Sequence, residues 1–467
     1  MSGRLTVAAL AFSGFAVSLV HTLVVPALPS LPGLLHTSAA TVSWLVTATL
    51  LASAVASPVL TRLGDQFGRR RMVFASLALL IAGSLVCAVT DRVGVLIVGR
   101  ALQGCATAAI PLGISIIGTT TTPRQRASGI AVVSATLGIG GALGLPLSGV
   151  IIRYADFHVL FWVCAAAGAV GTTAVALLVP GSGQRSGGRV DLLGAALMCT
   201  LLCALLLALT NAPAWGWARP GTRGLVALFV VSAATFVAYE SRRATPLVDL
   251  RAVRRRPVLL THIVSVLIGF ALYTNFLGTA SYLQAPLATG YGFGVSTLVA
   301  GVCLVPQGLS MMVFAPVSAR LISWRGARLT LALGGAWIAL GFVLRLLFTT
   351  HLWQVLVGAT VASIGSAIAY AAMPALILDA TPLADAGAAT GLNTLARSVG
   401  TSLASAVAAA VLTALTVRIG DAVFPARGAF FVLFGCAGAL AAASAVMTAF
   451  VRPALPAQPG PITGSPS

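Results

Sequence analysis

The chain has 467 residues, of which 58% are hydrophobic and only 8% are charged, whereas a soluble domain carries about 25% charged residues. So few charges cannot cover a globular surface of this size, which excludes a soluble fold. The net charge is +19, and all of the positive charge is arginine, because the sequence contains no lysine. This charge is spread over short loops between apolar runs. A nucleic-acid-binding protein instead concentrates its charge on one face or arm, so we expect no nucleic-acid partner.

Apolar segments of about 20 residues, the length that crosses a hydrocarbon core, recur along the chain and predict an all-α polytopic membrane protein. The first segment follows Arg4 as a signal peptide would, but no small-residue cleavage site comes after it, so we interpret it as an uncleaved span. The fourteen predicted spans are 5–25, 40–60, 72–90, 94–119, 127–151, 157–179, 191–211, 221–239, 257–284, 295–316, 327–348, 353–378, 386–416 and 426–450.

Arginine is distributed unequally between the alternate loops. One set of loops contains nineteen arginines and the other set contains six, while the remaining three lie within spans. Because loops rich in arginine stay in the cytoplasm, the first set is predicted to be cytoplasmic. With an even number of spans, both termini are then cytoplasmic, in a multi-pass protein of the bacterial plasma (inner) membrane.

Two groups of residues recur at nearly the same offset. Pro58, Val59, Arg62, Leu63, Gly68 and Arg70 return after 258 residues as Pro316, Val317, Arg320, Leu321, Gly326 and Arg328. Ala127, Gly129 and Gly138 return after 262 residues as Ala389, Gly391 and Gly400. This repeat predicts two six-helix halves that hold a substrate between them near the membrane midplane.

The predicted domains follow from the repeat and from the spans between its two copies. They are an N-terminal six-helix bundle at 1–180, two linker helices with a cytoplasmic loop at 181–256, a C-terminal six-helix bundle at 257–452, and a tail at 453–467. The tail is rich in Pro, Gly and Ser and is predicted to be disordered.

Several motifs resemble those of a known transporter family. Residues 62–71 read Arg-Leu-Gly-Asp-Gln-Phe-Gly-Arg-Arg-Arg and resemble the signature loop G-x-x-x-D-R-x-G-R-R of the major facilitator superfamily, and residues 100–104 are similar to its second motif. Residues 138–149 resemble the Gly/Pro antiporter motif of its exporters, while 282–284 and 391–394 resemble its fourteen-helix drug:proton antiporter branch, which includes actinobacterial antibiotic efflux proteins. The resemblance implies the major facilitator fold, with two six-helix bundles plus two linker helices.

The sequence departs from the family pattern at several positions. Thr61 stands where the signature loop begins with Gly, and Gln66 stands where a basic residue is usual. Thr49 replaces an aromatic residue. Val20 occupies a position that is acidic in this branch, next to His21.

The signature loop supplies the candidate gating residues Asp65, Gly68, Arg70 and Arg71. A carboxylate at a helix end can pair with an arginine or with the N-terminus of a neighbouring helix, and such a latch would stabilise one state of a two-state cycle. The alternative is a basic loop that only sets topology, which would need the arginines but neither Asp65 nor Gly68.

The span at 127–151 carries the antiporter-motif residues Gly138, Gly140, Gly144, Pro146 and Gly149. Small residues four apart let helix backbones approach closely, and a proline removes a backbone donor and permits a bend. We expect this span to form a close, sliding contact between the two halves. Ordinary tight packing is the alternative.

Polar residues within spans are candidates for a substrate or coupling cavity, because such faces cannot comfortably meet lipid. The candidates are His21, Arg100, Gln103, Asn275, Tyr282, Gln284, Asn393 and Arg397. An Arg100 side chain that snorkels to the outer interface is the alternative for that residue. Arg345, near the outer end of its span, is expected to snorkel in this way.

The nine acidic residues all lie outside the middle of the predicted spans, although drug antiporters usually carry their proton on a membrane-embedded carboxylate. His21 could carry a proton, since imidazole titrates near neutral pH, or it could be a hydrogen-bonded packing residue. Because Arg100 and Arg397 have no acid beside them, we expect neutral, weakly acidic or zwitterionic substrates and not permanent cations.

These observations predict a monomeric transporter in the lipid bilayer that exports a small amphipathic organic compound, such as an antibiotic, by alternating access. The proton gradient is the expected energy source, with no cofactor and, since all seven cysteines lie in apolar runs, no metal. A metabolite transporter of the same fold without proton coupling is the alternative, and a non-transporting membrane sensor is a third. An enzyme is not expected, because no loop is long enough to form a catalytic domain.

Overall fold

The structure is a computed structural model that describes residues 3–24, 27, 31–37, 39–181, 191–243, 253, 256–381, 385–420 and 422–450. Helices account for nearly all of these residues. They are α1 (Gly3–Leu23), α2 (Leu31–Leu34), α3 (Ala39–Phe67), α4 (Arg69–Ala88), α5 (Val93–Cys105), α6 (Ala109–Thr120), α7 (Pro123–Tyr154), α8 (His158–Leu178), α9 (Leu192–Trp215), α10 (Pro220–Glu240), α11 (Arg256–Gln284), α12 (Thr297–Leu347), α13 (Leu352–Ala380), α14 (Ala386–Ala414) and α15 (Arg427–Ala449).

The helices are long and apolar enough to cross a membrane. Within the described ranges, twelve stretches have the required length and composition, and one of them, Leu298–Leu347, is 50 residues long. At 1.5 Å per residue such a stretch extends about 75 Å, more than twice a hydrocarbon core, so it supplies two crossings. With the shorter apolar stretch Leu193–Leu209 added, the helices are compatible with the fourteen predicted spans.

The internal repeat is visible as two similar bends. Gly68, between α3 and α4, has φ 109°, and Gly326, where α12 is interrupted, has φ 80°. Both values lie in the region that glycine adopts without steric cost. After each bend an arginine reaches a helix end: Arg70 donates to the Ala176 carbonyl at 2.7 Å, and Arg328 donates to the Thr448 carbonyl at 3.1 Å.

Two apolar cores match the two halves of the repeat. The first core is built mainly from α1 to α8, and the second from α11 to α15. Helix α1 packs on α6, α7 and α8, whereas α11 packs on α12, α13, α14 and α15. The domain boundaries themselves remain a prediction.

Among the described residues, two helix pairs make the most extensive contacts between the halves. Helix α7 lies along α12, with Gly149 near Leu298 at one end, Gly138 near Met311 in the middle, and a cluster of alanines at the other end. The contacts between α3 and α14 involve the stretch of α3 that ends at Asp65 and the first half of α14. We call these pairs the α7–α12 seam and the α3–α14 seam.

The two linker helices α9 and α10 pack on each other, and α9 covers the α3–α14 seam. Met198, Leu202 and Leu206 of α9 form one apolar cluster with Ala54 of α3 and Leu395 of α14. The linker pair therefore contacts both halves at once.

Several elements differ from the sequence-based expectation. The residues after α14 form an antiparallel hairpin of β1 (Thr416–Ile419) and β2 (Ala422–Pro425), which the apolar pattern does not predict. Residues 317–325, expected to be a loop, continue α12 as helix. The tail at 453–467 and six of the loop arginines, at 185, 189, 251, 254, 255 and 452, lie outside the described residues.

Candidate functional site

Asp65 is buried at the end of α3 and contacts both halves of the molecule. Its Oδ1 accepts a hydrogen bond from Arg69 Nε at 2.8 Å, within the same half. Its two carboxylate oxygens also accept the backbone N–H groups of Gly387 at 3.1 Å and Ala388 at 2.8 Å, in the first turn of α14. A carboxylate at a helix N-terminus meets free N–H groups and the positive end of the helix dipole, so the contact is favourable in both respects.

The same end of the molecule carries further contacts between the halves. Arg62 pairs with Asp385 at 2.8 Å, and Thr390 donates to the Pro111 carbonyl of α6 at 3.2 Å. Close approach requires a glycine here, since a Cβ at Gly387 would lie 2.6 Å from Asp65 Oδ1. The halves are therefore closed together at the end that the arginine distribution predicts to be cytoplasmic.

The three consecutive arginines of the signature loop make different contacts. Arg69, which is not among the gating residues predicted from the sequence, is the arginine that pairs with Asp65, four residues along the chain and across the bend at Gly68. Arg70 instead lies over the Phe74 ring and bonds to the end of α8, while Arg71 is exposed. The short separation of Asp65 and Arg69 along the chain was the signal that could have identified the pair.

Arg100 is 1% exposed and lies inside the first half. Its Nε donates to the Leu45 carbonyl at 3.2 Å, and Nη1 donates to the Val20 carbonyl and to Gln103 Oε1 at 2.9 and 2.8 Å. Gln103 in turn donates to Ser84. The guanidinium thus ties α5 to α1 and α3, and it does not snorkel to the interface.

His21 follows Val20 on α1, beside the carbonyl that Arg100 binds. Its Nε2 lies 3.1 Å from the Thr107 hydroxyl. The His21 side chain is half-buried, while Val20, at the position that is acidic in related exporters, is 1% exposed.

Arg397 and Asn393 form a second polar group, on α14. Arg397 donates to Asn393 Oδ1 at 2.9 Å and lies over the Tyr370 ring at 5.0 Å. Asn393 donates to the Ser265 hydroxyl of α11 at 2.6 Å. The side chains of Asn393 and Arg397 therefore turn into the second half.

The Arg345 side chain was expected to snorkel to the membrane interface, but this expectation is wrong, because the residue is 0% exposed. Its Nη1 donates to Asn275 Oδ1 at 2.9 Å, and its guanidinium lies 3.7 Å from the centre of the Phe434 ring. Position along the helix suggested an interfacial arginine, but the side chain points between helices, where Gly358 leaves room for its stem.

The two remaining cavity candidates, Tyr282 and Gln284, lie in different surroundings. Tyr282 is 1% exposed and packs in an aromatic cluster with Tyr291, Phe430 and Phe434. Gln284, at the end of α11, is exposed.

The glycines of α7 face two different partners. Gly138 and Gly149 contact Met311 and Leu298 of α12 in the other half, as expected. Gly140 and Gly144 instead contact α1, where the Thr22 hydroxyl donates to the Gly140 carbonyl at 2.9 Å. The expectation that all of these glycines form the contact between halves is therefore wrong for Gly140 and Gly144.

Arg100, Arg345 and Arg397 share one electrostatic property. In the described part of the chain, the ion pairs are Arg62–Asp385, Arg69–Asp65, Arg243–Asp191 and those of His158 with Asp91 and Asp156, and none involves these three arginines. Their acceptors are backbone carbonyls and neutral amide or hydroxyl oxygens. The interior therefore carries positive charge without a neighbouring carboxylate.

Comparison with known proteins decides the family. The model of the Major Facilitator Superfamily matches residues 10–405 and 286–467. The chain belongs to the major facilitator superfamily. It is therefore a polytopic membrane transporter and not an enzyme.

Relatives within the superfamily include named export proteins. The chain is 30% identical over 433 residues to the tetracenomycin C resistance and export protein of Streptomyces glaucescens, covering 91% of this chain and 78% of that protein. It is 28% identical over 375 residues to the multidrug resistance protein Stp of Mycobacterium tuberculosis, covering 79% and 68% of the two chains.

A solved structure shows the same fold. The human organic anion transporter MFSD10 (TETRAN) superposes with a TM-score of 0.70, covering 96% of this chain and 100% of that chain, at 16% sequence identity. At this identity the likeness concerns the major facilitator fold alone.

Proposed function

We propose that this chain is a secondary active transporter that exports a small amphipathic organic compound, of the antibiotic or drug class, by alternating access. It acts as a monomer in the bacterial plasma membrane, with both termini in the cytoplasm and the proton gradient as its energy source. The names of the relatives support the substrate class. The observation that carries the mechanism is the Asp65 carboxylate, which bonds to α14 of the other half.

Alternating access needs contacts that exist in one state and break in the other. Hydrogen bonds to a charged group contribute about 1.5–3 kcal/mol each. The two bonds from α14 to Asp65 therefore supply an energy of the size that separates two populated states of a protein. Breaking them exposes a carboxylate that Arg69 still neutralises, which keeps the open state accessible.

The buried arginines Arg100 and Arg397 support a preference for substrates that carry no positive charge. Two like charges about 6 Å apart repel by about 3 kcal/mol at an effective dielectric constant of about 20. A permanent cation close to Arg100 or Arg397 would meet this repulsion without a carboxylate to offset it. We therefore expect neutral or anionic amphiphiles to be better substrates than quaternary ammonium dyes.

Everted membrane vesicles with an imposed pH gradient provide the test. We expect accumulation of an uncharged antibiotic in wild-type vesicles, its loss when an uncoupler collapses the gradient, and little accumulation of ethidium. Accumulation that is insensitive to the uncoupler would favour the metabolite transporter without proton coupling. Robust ethidium transport that persists in Arg100→Gln would contradict the electrostatic argument.

A further inference from the structure

The second half contains a buried polar group that the proposed export mechanism does not use. Its members are Arg345 on α12, Asn275 and Tyr282 on α11, and Gln307 on the first segment of α12. All four are at most 1% exposed. The unpartnered polar atoms among them are Arg345 Nε and Nη2, Gln307 Nε2 and the Tyr282 hydroxyl.

The polarity of these orphan atoms follows from the hydrogen bonds that are made. Arg345 has only donors, so Asn275 must turn its Oδ1 toward it, at 2.9 Å. The Asn275 amide nitrogen then donates to Gln307 Oε1 at 3.2 Å, which turns the NH2 group of Gln307 away from Asn275, where it has no partner. The Ala359 carbonyl and the Ser363 hydroxyl each lie 3.0 Å from the same Asn275 nitrogen, so its two hydrogens are shared among three acceptors, which fixes the orientation of the amide.

The orphan atoms of Arg345 and Gln307 are therefore all donors, and both side chains bond directly to the one Asn275 amide. Tyr282 adds a hydroxyl that can donate to an acceptor, and its ring contacts the Phe434 ring on which Arg345 lies. Buried donors without acceptors are costly, and so is a buried guanidinium without a counter-charge. Only a negatively charged acceptor removes both costs.

We propose that Arg345, Gln307 and Tyr282 bind a small inorganic anion of the size and charge of chloride. A single charge matches the one guanidinium. The near-zero exposure of the group favours a small ion over a bulky one. Gly358 leaves the space that the Arg345 stem occupies, since a Cβ there would lie 2.5 Å from Arg345 Cγ. Arg345 is in the last turn of α12, so the ion would enter from the solution at that end.

The test uses the purified full-length protein in lipid nanodiscs. Its melting temperature is measured in sodium chloride and in sodium gluconate at equal ionic strength. For the wild type we expect a saturable rise of about 3–5 °C as chloride reaches about 100 times its dissociation constant. In Tyr282→Phe the half-saturating chloride concentration should increase about tenfold, because one hydrogen bond to the anion is lost.

Gln307→Glu gives the sharpest test, because the new side chain has the same shape. One carboxylate oxygen still accepts from Asn275, and the other carries a negative charge where the free NH2 group was. We expect this variant in gluconate to melt at the temperature of the wild type in chloride, and to lose its response to chloride. Arg345→Gln should lose the response as well.

Arg427→Gln is the matched control, since Arg427 is exposed and donates to the neutral Thr349 hydroxyl in the same half. This variant should keep the full chloride response. Identical wild-type melting curves in chloride and gluconate would overturn the proposal. A full response that persists in both Gln307→Glu and Arg345→Gln would also overturn it, because the anion would then bind elsewhere.

Discussion

At the scale of single residues, one buried carboxylate connects the two halves of the molecule. Asp65 accepts a charged hydrogen bond from its own half and two backbone hydrogen bonds from the other half, while its side chain is 0% exposed. The neighbouring pair Arg62–Asp385 also joins the halves, but the Asp385 side chain is 43% exposed. Solvent weakens an exposed pair, so the two contacts should differ in strength.

This difference gives the first prediction. Asp65→Asn should lower the transport rate about tenfold at normal membrane expression, because the neutral amide loses the charge-assisted bonds to Arg69 and to the start of α14. Asp385→Asn should change the rate less than about twofold. Both rates are measured in vesicles with the uncharged antibiotic, and equal rates for the two variants would assign the signature loop to topology alone.

Arg100 provides the second prediction. Arg100→Lys should lower the free energy of unfolding by about 2–4 kcal/mol, because an ammonium group cannot reproduce the fork that binds the Val20 and Leu45 carbonyls and Gln103. Thermal unfolding in detergent measures the change. Arg92→Lys, at an exposed position, should stay within about 0.5 kcal/mol of the wild type, and an equal loss for both would show that the fork is not needed.

The sequence predicts that polar residues such as Arg345 lie within spans, but not which way their side chains point. Arg345 is near a helix end in linear position, so an interfacial side chain was expected. Its actual direction depends on Gly358 and Asn275, which lie on α13 and α11 and are distant in sequence. Such contacts between separate helices cannot be read from the spacing within one helix.

At the scale of helices, α7 uses one glycine-rich sequence for two contacts. Gly138 and Gly149 approach α12, and Gly140 and Gly144 approach α1. The spacing of glycines identifies a close-packed face, but the identity of the neighbour depends on the rotation of the helix in the bundle. The sequence therefore predicted the close packing and missed one of the partners.

The third prediction uses two glycines of α7 that differ in their surroundings. A Cβ at Gly144 would overlap the Thr22 hydroxyl, whereas a Cβ at Gly141 would lie 3.9 Å from Thr22 Cγ2, an ordinary contact. Gly144→Ala should therefore lower the free energy of unfolding by about 1–3 kcal/mol and slow transport. Gly141→Ala should be neutral or stabilising by up to about 1 kcal/mol.

Thermal unfolding and vesicle transport of both alanine variants check this prediction. Equal melting temperatures and rates would show that α1 and α7 can separate at no cost. Because Gly140 and Gly144 contact α1 within their own half, we expect the loss in stability to appear even in protein held in one conformation.

At the scale of the whole molecule, the repeat and the composition predicted most of the architecture. The recurrence of Gly68 as Gly326 marks two equivalent bends, and the arginine that follows each bend reaches the end of a helix in its own half. The hairpin formed by β1 and β2 was not predicted, because its strands are only four residues long and are held partly by Tyr291, which donates to the Pro425 carbonyl from a distant loop.

The fourth prediction concerns orientation. In a Cys436→Ser background, which removes an exposed cysteine, Ser241→Cys should react with a membrane-impermeant maleimide only after permeabilisation of the cells. Val423→Cys, which replaces an exposed residue of β2, should react in intact cells. Arginine is abundant on the Ser241 side, which is the basis of the expectation. Reaction of Ser241→Cys in intact cells would show that the orientation is opposite to the predicted one.

The two seams differ in length, and this difference has a mechanical consequence. Contact along α7 and the segment of α12 before Gly326 places the axis of a rigid-body rotation near that pair, so displacement increases toward α3 and α14. Helix α9 covers the α3–α14 seam. When this seam opens, α9 and α10 would therefore be pushed into the surrounding lipid. The cross-sectional area of the protein would then change during each cycle. We expect turnover to depend on the lateral pressure of the bilayer, and vesicles of graded phosphatidylethanolamine content can measure this dependence.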